Sequence, residues 1–210
     1  YDICIFATGS KAFVLPIPGS NLPSVIGWRT IDDTNKMIEI AQTKKRAVVI
    51  GGGLLGLECA RGLLDQGMEV TVLHLADWLM EMQLDRKAGD MLKADLEKQG
   101  MKIELQANSK EIIGDKDVEA IKLADGRVIE TDLVVMAVGI RPYTEVAKDS
   151  GLDVNRGIVV NDYMQTSDSH IYAVGECAEH DGKVYGLVAP LYEQGKVLAD
   201  YLTGKERSEE

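Results

Sequence analysis

Ala47-Val48-Val49-Ile50-Gly51-Gly52-Gly53-Leu54-Leu55-Gly56-Leu57-Glu58 is the stretch that decides the fold. A short apolar strand, Arg46–Ile50, runs into three glycines, and a helical pattern follows at once. The helix, Leu54–Gln66, carries Gly56, Ala60, Leu63 and Leu64 along one stripe and stops at Gly67. A second apolar strand, Glu69–Leu75, completes a βαβ unit. In Gly51-x-Gly53-x-x-Gly56, the first glycine permits the tight turn out of the strand. The second lets a pyrophosphate approach the backbone, and the third lets the helix pack close to the strand. The N–H groups around Gly52, Leu54 and Leu55, at the positive end of the helix, suit phosphate oxygens. A strand before, a helix after and a second strand at the right distance make this a dinucleotide-binding turn.

The end of the second strand reports which dinucleotide is bound. Sites for NAD usually place Asp or Glu there, on the ribose 2′-hydroxyl. Here His74 stands at that place, followed by Leu75, Ala76 and Asp77. No Arg or Lys lies between His74 and Gln83 to meet a 2′-phosphate, so NADH is favoured over NADPH. Asp77 or Glu81 could serve the ribose, and His74 could donate to a hydroxyl or cap the strand.

Outward from this unit, residues 1–10 read as a buried strand ending in a glycine turn, and 11–30 as a crossover holding Pro16, Pro18 and Pro23. Asp32 or Asp33 can cap a helix to Gln42, with Met37, Ile38 and Ala41 on one face. Asp85 caps a longer helix to Gln99, with Ala88, Met91, Leu92 and Leu96 facing inward, and Met101–Leu105 is a third strand. From about residue 108, turn signals at Gly114-Asp115-Lys116-Asp117 and Asp125-Gly126 indicate an antiparallel meander, after which Asp132–Val138 returns as a parallel-type strand. A short helix near 144–149, strands at 157–160 and 170–174, and a last helix from Tyr192 to Leu202 follow, with a charged end at 205–210 expected to fray. The chain opens at Tyr1 inside a strand and reads as a piece cut from a longer protein.

The chain has 210 residues, 45% of them hydrophobic, with 21 glycines and only 5% aromatics, which suits an α/β protein with tight strand-to-helix turns. A net charge of −11 argues against nucleic acid and anionic membrane surfaces as partners. No apolar run approaches the roughly 18 residues that span a bilayer. Cys4, Cys59 and Cys177 fit neither a disulfide framework nor a zinc site, which points to a reducing cytoplasm. Cys4 and Cys59 read as small core residues, and His170 and His180 as structural or exposed.

Gly175-Glu176-Cys177-Ala178 follows the apolar strand Ile171–Val174. A carboxylate before a turn of free N–H groups can hold a ribose or ribityl hydroxyl and a phosphate, or it can simply cap the turn. With Tyr1-Asp2-x-x-Ile5-x-Ala7-Thr8-Gly9, Gly51–Glu58 and Ala137-Val138-Gly139-Ile140-Arg141-Pro142, this makes four ordered motifs. Together they resemble the pyridine nucleotide–disulphide oxidoreductases, the two-dinucleotide flavoproteins. Within that family, Leu79–Asp85, Gly157–Ser167 and Ala189–Gln194 are most similar to the large-subunit branch of the NAD(P)H nitrite reductases.

The resemblance implies a Rossmann-like NAD(P)-binding domain, with a parallel sheet and an antiparallel meander, inserted in a partial FAD-binding domain. Residues 1–27 would end the first FAD segment, 28–142 would bind NAD(P), and 143–210 would form the second FAD segment. Glu58 would be the catalytic group, beside the nicotinamide and the flavin edge. Val138 and Gly139 would border the nicotinamide ribose. Thr8, Gly9, Gly175, Glu176 and the amides of Cys177 and Ala178 would hold FAD. Ala189, with the helix after Pro190, would aim a positive helix end at the flavin. The implied reaction is hydride transfer from NADH to FAD, feeding nitrite reduction at a sirohaem and an iron–sulfur cluster in a downstream domain of the parent. Ferredoxin or rubredoxin reductase, NADH oxidase, and a non-catalytic redox-sensing module are the alternatives. The pattern departs from the family in three respects. The first FAD fingerprint is absent, leaving that site incomplete. There is no cysteine cluster for sirohaem or iron–sulfur, and Tyr143 and Glu176 replace the usual Asn and Asp.

Overall fold

The computed structural model describes residues 1–205, so most of the charged end expected to fray lies outside the described residues. The chain divides into two compact units, one of residues 12–139 and one of residues 1–11 with 140–210. These boundaries differ from 27/28 and 142/143. Val25–Gly27, on the far side of the first expected boundary, is an edge strand of the larger unit's sheet.

The larger unit is built on a five-stranded parallel sheet in the order Val25–Gly27, Leu133–Met136, Arg46–Ile50, Glu69–Leu73, Lys102–Glu104. Ala47–Ile50 and Leu133–Met136, in its central strands, are apolar at every position because both faces are covered. Ala47, Val49, Val70, Val72, Leu133 and Val135 point to one core, against the helices. Val48, Ile50, Leu73, Val134 and Met136 point to the other. That second face is closed by an antiparallel meander, Ser109–Ile113, Ala120–Leu123 and Val128–Glu130, which supplies Ile112, Ile121 and Leu123. At the opposite end from the glycine turn, the Asp132 carboxylate accepts from the Arg46 amide at 3.0 Å and from its guanidinium at 3.0 and 3.2 Å. The Arg46 side chain holds the Asp132 carboxyl below its usual range.

Three helices lie on the first face: α1 (Ile31–Ala41), α2 (Leu54–Asp65) and α3 (Arg86–Lys98). The cap of α1 is Thr30, not Asp32 or Asp33. Thr30 accepts from the Asp33 amide, and Asp33 accepts in return from the Thr30 amide, a reciprocal capping box. The face of α1 that packs is Met37, Ile40 and Ala41, at i, i+3 and i+4, while Ile38 is turned outward. Asp85 caps α3 through the Ala88 amide. Met91 does not face inward, being 66% exposed. Gly89 is buried so closely under Trp78 and Leu79 that a Cβ would lie 2.6 Å from the Trp78 ring. This approach sets the rotation of α3 and leaves the seam to Leu92 and Leu96.

The smaller unit contains α4 (Glu145–Asp149), α5 (Val188–Leu202) and small sheets of two and three strands. Cys4–Phe6 pairs in parallel with Ile171–Ala173. Ile158–Val160 pairs in parallel with Ala178–His180, which in turn pairs with Lys183–Val184. The first strand is therefore shorter than residues 1–10. Its core gathers Ile158, Met164, Tyr172, Cys177, Val197 and Leu198. Helix α5 starts at Val188, four residues before Tyr192, because Pro190 falls in the first turn, where an N–H has no intrahelical partner to lose. Among the described residues, no helix is long and apolar enough to cross a membrane.

Candidate nucleotide-binding site

The glycine turn joins the Arg46–Ile50 strand to α2, and each glycine in it has its own physical reason. Gly51 has φ of +119°, and a Cβ there would stand 2.3 Å from the Ala137 carbonyl oxygen. A Cβ on Gly56 would stand 1.9 Å from the Gly51 carbonyl oxygen, so only glycine lets α2 press against the turn. A Cβ on Gly52 would meet the His74 ring and Leu79, each at 2.7 Å. Gly53 is different, because a Cβ there would meet nothing within 4 Å. Its backbone is ordinary and extended, so the chain itself gives no reason for a glycine at this place.

Gly53 is also the N-cap of α2 and has no side chain to close the helix end, whereas α1 and α3 are capped by Thr30 and Asp85. The first N–H groups of α2, at Leu54 and Leu55, point out of an uncapped positive end, and both leucines are exposed. This is an open anion cradle, and it fits the pyrophosphate of a dinucleotide. Glu58 is the fifth residue of α2, past the first turn, so helix-dipole stabilisation is not what it gains there. It is exposed, between the buried Leu57 and Cys59.

Beyond the second strand, the structure changes the roles expected of three side chains. His74 is 7% exposed. Its Nδ1 accepts from the Gly52 amide at 3.0 Å, and its Nε2 lies 2.9 Å from Glu81 Oε2. Both ring nitrogens are engaged within the chain, so His74 neither donates to a ribose hydroxyl nor caps the strand, and Glu81 is turned to His74. Asp77 receives the Arg86 guanidinium at 2.8 Å. Arg86 lies outside the 74–83 window in which a cation for a 2′-phosphate is expected. Its signal was its place as the first residue after the Asp85 cap, where α3 turns back toward the strand end. Val138 packs half-buried on the meander side of the sheet, and Gly139 follows it exposed, with φ of +104° and its carbonyl taking the Phe13 amide.

In the smaller unit, Thr8 Oγ1 donates to the Tyr143 carbonyl at 2.8 Å, and the Tyr143 amide returns a bond to the Gly9 carbonyl. Tyr143, where an Asn was the familiar residue, thus uses its backbone here. Gly175 has φ of +86° and starts a 3₁₀ turn over Gly175–Cys177. Glu176 is no cap for that turn, and its Oε2 instead accepts from Ser10 Oγ at 2.8 Å. The Ala178 amide bonds to the Gly175 carbonyl, so it is not free for a pyrophosphate as the family pattern implied. Cys177 is fully buried, with its thiol against the Val174 and Phe6 carbonyls. Gln194 of α5, 1% exposed, accepts from the Gly175 amide at 2.9 Å and ties the helix to this turn. Nothing local in the sequence marks Gln194, since a glutamine in a helix signals burial only when its partner is known. Ala189 lies exposed in the first turn of α5, whose N-cap Leu187 makes no side-chain cap.

None of the three cysteines is in a disulfide, and burial pushes the Cys59 thiol up to about 12. Among the described residues, no group of three or more His, Cys, Asp or Glu side chains could hold a metal ion.

The comparisons with known proteins agree with this geometry. The chain is 60% identical over 206 residues to the nitrite reductase [NAD(P)H] of Bacillus subtilis, covering 98% of this chain and 26% of that protein. It is 50% identical to the assimilatory nitrate reductase electron transfer subunit of the same organism, covering 97% of this chain and 26% of that protein. It therefore spans about a quarter of the length of each of these two relatives. Among solved structures it superposes with a TM-score of 0.93 and 30% identity on the ferredoxin reductase for the CYP199A2 system of Rhodopseudomonas palustris, covering 100% of this chain and 54% of that one. The sheet order, the glycine turn and a family model matching residues 1–195 converge: the chain belongs to the pyridine nucleotide-disulphide oxidoreductase family.

Proposed function

We propose that this chain is the NADH-binding part of a flavoprotein oxidoreductase, and that it serves nitrite reduction in a longer cytoplasmic protein. The observation that carries this is Gly53, a glycine at an uncapped helix start with open space where a side chain would be. The chemistry the bound cofactors supply is a hydride, two electrons and a proton's mass, moved from the reduced nicotinamide to FAD. The chain's own residues bind and orient. Gly53, Leu54 and Leu55 offer backbone N–H groups and a helix dipole to the pyrophosphate, while the Gly52 amide is turned to His74 and shapes the turn. Asp77 is assigned to the adenosine ribose. Arg86, the cation at that strand end, is already tied to Asp77, so a 2′-phosphate would compete with its carboxylate, and NADH is the preferred cofactor. Val138, Gly139 and Glu58 are assigned to the nicotinamide half.

Thr8, Gly9, Gly175, Glu176, Cys177 and Ala189 are assigned to FAD, a site that the rest of a longer protein would complete. The name of the 60% identical relative supports nitrite as the final acceptor; sirohaem and an iron–sulfur cluster in a downstream domain are what the family resemblance implies for that step. The fit to a ferredoxin reductase favours a second reading, in which a separate iron–sulfur protein takes the electrons. Anaerobic addition of NADH to the longer flavin-loaded protein decides between function and no function. Bleaching of the flavin absorbance is expected, and unchanged absorbance overturns the assignment. Nitrite-dependent reoxidation then separates the first reading from the second.

A further inference from the structure

Gly52, His74, Met80 and Glu81 form a closed ring of hydrogen bonds behind the glycine turn. The Gly52 amide donates to His74 Nδ1 at 3.0 Å, and His74 Nε2 lies 2.9 Å from Glu81 Oε2. The Met80 amide, one residue before Glu81, donates to the Gly52 carbonyl at 3.0 Å. Both polar groups of Gly52 are thus held by the strand end and the loop that follows it. Met80 makes its bond from a left-handed backbone, φ +55°, a conformation rare for a side chain of its size. An amide N–H needs an acceptor, so Nδ1 must carry its lone pair. The single imidazole proton then sits on Nε2, facing the carboxylate, and Glu81 thereby fixes the tautomer.

We propose that His74 and Glu81 are positioning residues for dinucleotide binding, acting through the Gly52 peptide. They set where the next amide, that of Gly53, and the start of α2 stand, and they touch no cofactor themselves. A carboxylate at the place of His74 could not do this through the same contact if it were kept for a ribose. A histidine supplies an acceptor to the turn and a donor to the loop at once. The inference rests on the NADH-binding role proposed above.

The test uses this chain, with NADH as the probe in calorimetry and the ¹⁵N spectrum of labelled histidine as a readout that needs no cofactor. The spectrum should show His74 protonated at Nε2 and bare at Nδ1. His74→Asn keeps an oxygen acceptor at the δ position and should hold affinity within about threefold, while His74→Leu leaves the Gly52 amide unpaired and should lose roughly tenfold. Glu81→Ala, at an exposed position, should weaken NADH by about threefold without lowering the melting temperature. A proton on Nδ1, or unchanged NADH affinity in both His74→Leu and Glu81→Ala, overturns the proposal. If His74→Leu does not fold, Glu81→Ala and the spectrum still decide. A wild-type chain that fails to bind NADH contradicts the proposed function instead, and the spectrum then judges the His74–Glu81 arrangement alone.

Discussion

Gly56 and Gly51 stand so close that a Cβ on the former would lie 1.9 Å from the carbonyl oxygen of the latter. The atom it would strike is backbone, bound into the turn, and cannot swing aside. Gly56→Ala should therefore push α2 off the sheet and destabilise the chain by about 3 kcal/mol, the upper end of ordinary overpacking. Chemical denaturation measures it. A loss below about 1 kcal/mol would show that the helix can slide, which the close-packed core formed by Leu57, Ala60 and Leu63 argues against.

The Asp77–Arg86 pair makes a prediction about cofactor choice. Asp77→Asn removes the carboxylate that holds Arg86, freeing the guanidinium for a 2′-phosphate. The ratio of NADPH to NADH affinity should rise by roughly tenfold. Arg86→Ala should reduce NADPH binding and leave NADH binding nearly unchanged. Calorimetry with both cofactors reads the four combinations. An unaltered ratio in Asp77→Asn would remove Asp77 from the ribose site.

Asp132 predicts a pH dependence of stability. Its carboxyl is held below the usual range, first by the hydrogen bond from the Arg46 side chain and then by the Arg46 and Lys45 amides. The charged form is therefore favoured in the folded chain, and its contribution is complete above the unfolded value and lost as pH falls through the lowered folded one. Wild type should be more stable than Asp132→Asn at neutral pH by about 1–3 kcal/mol, the penalty for weakened partners of a paired group. The gap should hold down to about pH 4, the unfolded carboxyl range, and close as pH falls through the lowered folded value. Thermal melts of both chains across that range measure it, and a gap independent of pH would contradict the assignment.

The βαβ unit was legible because three local signals agreed: an apolar run at 47–50, the glycine triplet, and a helix stripe closing at Gly67. The meander was legible from its turns. The rotation of α3 was not. A helical wheel weighs Met91 as apolar, but the close approach of Gly89 to Trp78 decides which side faces in, and that depends on where residues 78–79 fold back. The same return of the chain hid the partners of His74 and Asp77. Glu81 lies seven residues after His74, and Arg86 nine after Asp77. Residues 74–85 form the bend between the second strand and α3, so no helix or strand periodicity reports either contact. The start of α5 is hidden for a simpler reason: a proline signals a boundary, yet Pro190 sits inside the first turn.

The central claim is that Gly53 is a glycine for the sake of a ligand. Titration of the chain with NADH, beside Gly53→Val, tests it directly. The mutated side chain enters open space on an ordinary backbone, so the melting temperature should change little. The account predicts saturable NADH binding by wild type and a loss of at least about tenfold in Gly53→Val. Equal affinity in the two chains, both folded, would contradict it.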